Sequence, residues 1–153
     1  MTDGSIIYDS EGREIKVFNV RDVHGIKMLK RGGVDCALLT ARTSQAVKKR
    51  AEELEIGLCY QGAIKKLTAY EDILKKTGLA PGETAFIGDD LVDLPVIRRA
   101  GFSAAVQDAV REVREAADYV TLNPGGKGAV REVAEIILKI KGKWHEVTER
   151  YLK

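Results

Sequence analysis

Apolar positions along the chain fall into short continuous runs separated by amphipathic stretches. Residues 34–39, 58–60, 84–87, 102–106 and 119–121 are runs of strand length, rich in Val, Ile, Leu, Phe and Tyr. Between them, Val47, Ala51 and Leu54, and then Leu67, Tyr70 and Leu74, recur at helical spacing. Asp22 is placed to cap a helix through about residue 30 that stops at Gly32-Gly33. Ser44 is placed to cap the next helix, and Asp108 one that runs through about Ala116. A helix with Pro95 in its first turn follows Gly88-Asp89-Asp90 and ends at Gly101. Residues 129–140 form a helix with Val130, Val133, Ile136 and Ile137 on its apolar face, and the tail, 143–153, carries a short amphipathic helix. Ahead of all these, residues 5–8 and 13–18 flank Asp9-Ser10-Glu11-Gly12, a hairpin signal in which Gly12 is free to take positive φ.

Strands alternate with helices, and most strands are apolar throughout rather than every second residue. That pattern predicts a parallel sheet buried on both faces: an α/β, doubly wound, Rossmann-like single domain over 1–153 with an N-terminal hairpin, 5–18. Composition agrees. A 44% hydrophobic share with 31% charged residues supports a sizeable core in 153 residues. A net charge of +2 argues against nucleic acid or an anionic membrane as partner. No apolar run is long enough to span a bilayer, and the first residues lack signal-peptide character, so a cytoplasmic location is expected. Cys36 and Cys59 lie within apolar runs and read as small hydrophobes, and His24 and His145 as ordinary surface or helix residues.

In an open parallel sheet, ligands bind beyond the carboxyl ends of the strands. Those ends carry Thr40 and Arg42, then Gln61-Gly62 with Lys65 and Lys66, then Gly88-Asp89-Asp90 and Asp93. A hydroxyl, a lysine and clustered carboxylates can hold a phosphate and a hard divalent cation such as Mg²⁺. Taken singly, Thr40 also fits a strand-end turn, the lysines a solvated helix face, Arg42 a surface ion pair, and one of the aspartates a helix cap. Three carboxylates within five positions repel one another unless solvated or bound to a cation. The loop Gly125-Gly126-Lys127-Gly128 fits a flexible connection as well as an anion-binding nest.

The ordered set resembles the haloacid dehalogenase-like phosphatases, in particular the capless branch acting on sugar-acid phosphates such as 3-deoxy-D-manno-octulosonate 8-phosphate. The residues that carry the likeness are Thr2-Asp3-Gly4, Val17-Phe18-Asn19-Val20-Arg21-Asp22, Gly25-Ile26-Lys27, Leu39-Thr40-Ala41-Arg42-Thr43-Ser44, Tyr60-Gln61-Gly62 with Lys66-Leu67, Ile87-Gly88-Asp89-Asp90-Leu91-Val92-Asp93-Leu94-Pro95, Ala117-Asp118-Tyr119-Val120-Thr121 and Gly125 to Glu132. The resemblance implies that Thr40 binds the transferring phosphoryl group, Lys66 neutralises it, and Asp89 ligates Mg²⁺. It also implies that Asp93 supports the metal or Lys66 and that Arg42 faces the substrate carboxylate. It further implies a homotetramer in which the hairpin covers a neighbouring subunit's site, in lipopolysaccharide precursor synthesis.

Two departures are visible: Ala41 stands where the family has Gly, and Val23-His24 replaces a Gly-led pair. A third bears on catalysis. The family opens with an apolar strand ending in Asp-x-Asp, whose carboxylates are the nucleophile and the general acid/base, and this sequence contains no Asp-x-Asp. The expectation is a domain short of its first core strand, with Met1 a mis-assigned start at a Leu codon. The alternative is a non-catalytic binding or assembly module of the same fold. A receiver domain of a signalling relay shares the α/β plan but places its acidic cluster early, whereas here that cluster follows Lys66.

Overall fold

The computed structural model describes residues 2–153, so Met1, on which the expected start rests, lies outside the described residues. The hairpin pairs β1 (Ile7–Tyr8) with β2 (Glu14–Ile15), antiparallel, with Tyr8 opposite Glu14. Its turn closes through Gly12 N–H donating to the Asp9 carbonyl at 3.0 Å, with Gly12 at φ 76°.

Helix α1 (Val20–Arg31) follows. Its cap is Asn19, whose side chain accepts from the backbone N–H groups of Arg21 and Asp22, not Asp22 as the local pattern predicts. Asp22 is fully buried and its Oδ1 instead accepts the backbone N–H of Arg131, across the fold. Strand β3 (Ala37–Leu39), helix α2 (Gln45–Glu53), strand β4 (Leu58–Tyr60) and helix α3 (Lys66–Thr77) come next. Ser44 stands at the N-cap of α2 but makes no side-chain cap bond; its N–H donates to Gln61 Oε1 at 2.7 Å.

The second half runs β5 (Ala85–Gly88), the short α4 (Leu94–Ile97), β6 (Phe102–Ala105), α5 (Arg111–Ala116), β7 (Tyr119–Val120), α6 (Ala129–Ile140) and α7 (Trp144–Thr148). Asp108 does not cap α5, which begins after Val110; its Oδ1 accepts the N–H of Gly125 at 2.7 Å. That bond, together with the approach of Thr2 and Asp3, accounts for the glycine loop. A Cβ on Gly126 would lie 2.5 Å from the Asp3 nitrogen, so the loop is shaped by close packing of backbone on backbone. On α6 the buried stripe is Ala129, Val133, Ala134 and Leu138; Val130, Ile136 and Ile137 are half-buried.

The strands are parallel, as their apolar runs predict, but they form two sheets. β3 pairs with β4, and β5–β6–β7 form a three-stranded sheet in that order. Among the described residues, β3 and β5 therefore each have a ladder partner on one side only. Their side chains match that position: Leu38, Leu39, Phe86 and Ile87 are half-buried and Ala37 and Ala85 exposed, although the sequence reads as sheet interior. Each of the two therefore presents one unpaired ladder edge.

The helices hold the halves together. Helices α1 and α6 pack so closely that a Cβ on Gly25 would lie 2.9 Å from the Arg131 Cα. Val23, Ile26, Ala51, Leu54 and Ile56 form one core cluster, with Cys36, Leu38 and Cys59 against it. Met28, Leu29, Ala134, Leu138 and Val147 form another beneath α7. His24 is not a simple surface residue: its ring bonds Arg131 Nη1 and the Tyr151 hydroxyl, both at 2.9 Å, and so fastens the C-terminal tail to α1 and α6.

Candidate active site

Two strand-end loops are laced together by backbone bonds. Thr40 N–H donates to the Tyr60 carbonyl at 2.9 Å, and Ala63 N–H donates to the Thr40 carbonyl at 2.9 Å. Gly62 takes φ 68° to make the turn between them. This fixes Thr40 at the end of β3, half-buried, with its Oγ1 accepting the Arg42 N–H at 3.2 Å. Lys66 is the first residue of α3, and only 11% of its side chain is exposed, whereas Lys65 is exposed just outside the helix.

Beyond β5 the chain turns through a single helical turn, Leu91–Asp93, that sorts the three carboxylates into three roles. Asp90 is the cap, its side chain accepting the Leu91 N–H at 2.7 Å. Asp93 is buried, with Oδ2 accepting the N–H groups of Asp89 at 3.1 Å and Asp90 at 3.3 Å. Its other oxygen, Oδ1, pairs with the Lys66 ammonium. Asp89 alone has no cation or cap to serve. Protein atoms packed against its inner side, and then the neighbouring Asp93 carboxylate, push its pKa above that of an ordinary aspartate, while Lys66 opposes the rise. A carboxylate in that setting is relieved by a bound cation.

Gly88 makes the loop possible. A Cβ there would lie 2.6 Å from the Asp93 Cβ and 2.9 Å from its Cγ, so the glycine lets Asp93 fold back beneath the strand end. The sequence shows Gly88 as part of the motif, but the steric reason needs the fold. Arg42 is exposed and its Nη2 donates to Glu14 Oε1 at 3.0 Å. That contact with the hairpin was not predicted, since nothing in local spacing links residues 28 positions apart.

The site residues fit a divalent cation in part. Asp89 offers one hard oxygen ligand, and no group of three or more His, Cys, Asp or Glu side chains is placed to hold a metal among the described residues. Such a site needs phosphate oxygens and a further donor from elsewhere, which is how Mg²⁺ is commonly held.

A parallel α/β fold with Thr, Lys and Asp on successive strand ends is consistent with the haloacid dehalogenase-like class, and residues 60–133 match the family model described as haloacid dehalogenase-like hydrolase. Over 146 residues the chain is 42% identical to the 3-deoxy-D-manno-octulosonate 8-phosphate phosphatase of Escherichia coli strain K12, covering 95% of this chain and 78% of that protein. The crystal structure of the Moraxella catarrhalis 3-deoxy-D-manno-octulosonate 8-phosphate phosphatase, in complex with magnesium ion, phosphate ion and KDO, superposes with a TM-score of 0.95 at 43% identity, covering 98% of this chain and 86% of that one. The Yersinia pestis phosphatase of the same name gives a TM-score of 0.92 at 43% identity, covering 94% and 78%. The chain belongs to the 3-deoxy-D-manno-octulosonate 8-phosphate phosphatase family.

Proposed function

We propose that this chain forms the phosphate- and Mg²⁺-binding part of a phosphomonoester hydrolase for 3-deoxy-D-manno-octulosonate 8-phosphate, in the cytoplasmic synthesis of lipopolysaccharide precursors. The observation that carries the proposal is the separation of roles at the end of β5. Asp93 is consumed in holding Lys66 and the loop backbone, which leaves Asp89 free for a cation. Thr40 would donate its hydroxyl to a phosphoryl oxygen, and Lys66, fixed by Asp93, would place its positive charge on the same group. Asp89 would hold Mg²⁺, which supplies charge neutralisation at the phosphoryl oxygens when bound. Arg42 would meet the sugar-acid carboxylate.

The nucleophile and the general acid/base would come from an Asp-x-Asp strand, and the unpaired edges of β3 and β5 are where such a strand could pair. The chain of 153 residues is therefore expected to bind without turnover. Release of phosphate from the sugar-acid phosphate, measured with and without Mg²⁺, tests this on the chain alone and on the chain extended by an apolar strand ending in Asp-x-Asp. Turnover only in the extended protein supports the proposal. Turnover by the chain alone refutes it, and failure of both favours the non-catalytic module.

A homotetramer accompanies this function. The hairpin carries its apolar side chains outward, with Ile7, Tyr8, Ile15 and Val17 all exposed, and a face of that kind is suited to cover a neighbouring subunit. Light scattering on Ile15→Lys, expected to give smaller species than the parent chain, tests the assembly.

A further inference from the structure

The hairpin is built inside-out. Along β2 and its continuation, Glu14 and Lys16 turn toward the protein, with 14% and 9% of their side chains exposed, while Ile15 and Val17 face solvent. An inward charged face is costly unless each charge finds a partner. Here both do: Glu14 Oε1 receives the Lys16 ammonium at 3.1 Å and the Arg42 Nη2 at 3.0 Å. Tyr8, directly opposite Glu14 in the ladder, also bears on the Arg42 guanidinium. One cross-strand pair of the hairpin thus grips the arginine that lies two residues beyond Thr40. The two cations share a single carboxylate, which leaves one net positive charge on the substrate side of the phosphate site.

We propose that Glu14 is a positioning residue for substrate specificity: by holding Nη2 of Arg42 it orients the guanidinium so that its remaining N–H groups receive the carboxylate of the sugar-acid phosphate. A guanidinium has five donors in a fixed fork, so one carboxylate can fix its plane while a second is recognised along another edge. Lys16 keeps Glu14 in the ionised, inward position this needs; hydrogen bonds from Ser44 and Lys16, with Arg42 beside them, hold the Glu14 carboxyl below the usual range. Glu14 is the one acidic partner of Arg42 among the described residues and Tyr8 a further side chain bearing on it, so N–H groups of the five-donor fork remain for a second carboxylate.

The inference rests on the function proposed above, and binding measurements separate the two. Titration calorimetry with Mg²⁺ present compares 3-deoxy-D-manno-octulosonate 8-phosphate with inorganic phosphate, on the parent chain, Glu14→Gln, Arg42→Ala and the double variant. Glu14→Gln is expected to weaken the sugar-acid phosphate about five- to tenfold, the scale of a misaligned charged hydrogen bond, and to leave inorganic phosphate unchanged. In the Arg42→Ala background it is expected to have no further effect. Equal weakening of both ligands, or additive losses in the double variant, would show a merely structural hairpin contact and overturn the proposal. Tighter sugar-acid binding in Glu14→Gln would make Glu14 a competitor and also overturn it. A parent chain with no preference for the sugar-acid phosphate overturns the proposed function itself.

Discussion

Asp22 on α1 accepts the backbone N–H of Arg131, in the first turn of α6, through a 3.0 Å bond between residues 109 apart in sequence. The N-cap of α6 is Gly128 at φ 114°, which has no side chain to offer, so Asp22 supplies the missing cap from a neighbouring helix. The carboxylate also lies at the positive end of the α6 dipole. Its other oxygen, Oδ2, is buried without a partner, which the first bond must outweigh. Asp22→Ala is expected to lose about 1–3 kcal/mol in a urea titration, the cost of an orphaned buried donor. Asp22→Asn, which keeps an acceptor, is expected to lose less.

The same helix pair sets a steric test. Gly25 faces the Arg131 Cα and the Ala134 Cβ, with an added Cβ lying 2.9 and 3.3 Å from them. Gly25→Ala removes a helix-weakening glycine yet forces the helices apart, so the net change is expected to be destabilising by about 1–3 kcal/mol. A melting temperature equal to or above that of the parent would show that α1 and α6 have room to part.

Much of this architecture was readable because it depends on local pattern. The apolar runs marked the strands, and the spacing of Leu67, Tyr70 and Leu74 marked α3. What could not be read was the use of polar residues across the fold. Asp22 and Asp108 carry good cap chemistry, but one caps a distant helix and the other holds Gly125, because tertiary donors outcompete local ones. The parallel strands were legible, but their division into β3–β4 and β5–β6–β7 was not, because hydrophobic pattern alone sees strands and not their neighbours. At the site, Thr40, Lys66 and the aspartates were legible as chemistry. The sorting of Asp89, Asp90 and Asp93 into unpaired carboxylate, cap and anchor depends on a single turn whose geometry Gly88 permits, and the grip of Glu14 on Arg42 depends on which way the hairpin faces.

That dependence on Gly88 is testable. In Gly88→Ala the added methyl collides with Asp93, which must move and release both Lys66 and the Asp89 N–H. Phosphate affinity is expected to fall about tenfold, and Asp93→Asn to fall in the same direction, since each frees Lys66 from its anchor. An unchanged phosphate isotherm in Gly88→Ala would show that the loop rebuilds without Asp93.

Asp89 should exchange stability for binding. Its raised pKa means that the fold disfavours its ionised form, so at neutral pH the charge destabilises the metal-free protein, and that burden lifts as pH falls through the raised value. Asp89→Asn is therefore expected to melt higher than the parent without metal. Added Mg²⁺ should then raise the melting temperature of the parent and leave the variant unmoved. A variant that melts lower than the metal-free parent would mean that Asp89 contributes to the fold itself.

Acid sensitivity should centre on Asp118. Its Oδ2 accepts the Ser103 hydroxyl at 2.7 Å and the Ser103 N–H at 2.8 Å, while its own N–H donates back to the hydroxyl at 3.1 Å. These bonds join the start of β6 to the approach of β7, and the hydroxyl bond, followed by the backbone bond, holds the carboxyl below its ordinary 3.8. A depressed pKa stabilises the folded chain fully above the unfolded value and is lost as pH falls through the folded one. The parent is expected to exceed Asp118→Asn in urea midpoint at neutral pH, with the gap constant down to about pH 5 and closing below about pH 4. A gap that stays constant through pH 3 would assign the difference to the shape of the Ser103 pair rather than to the ionised carboxylate.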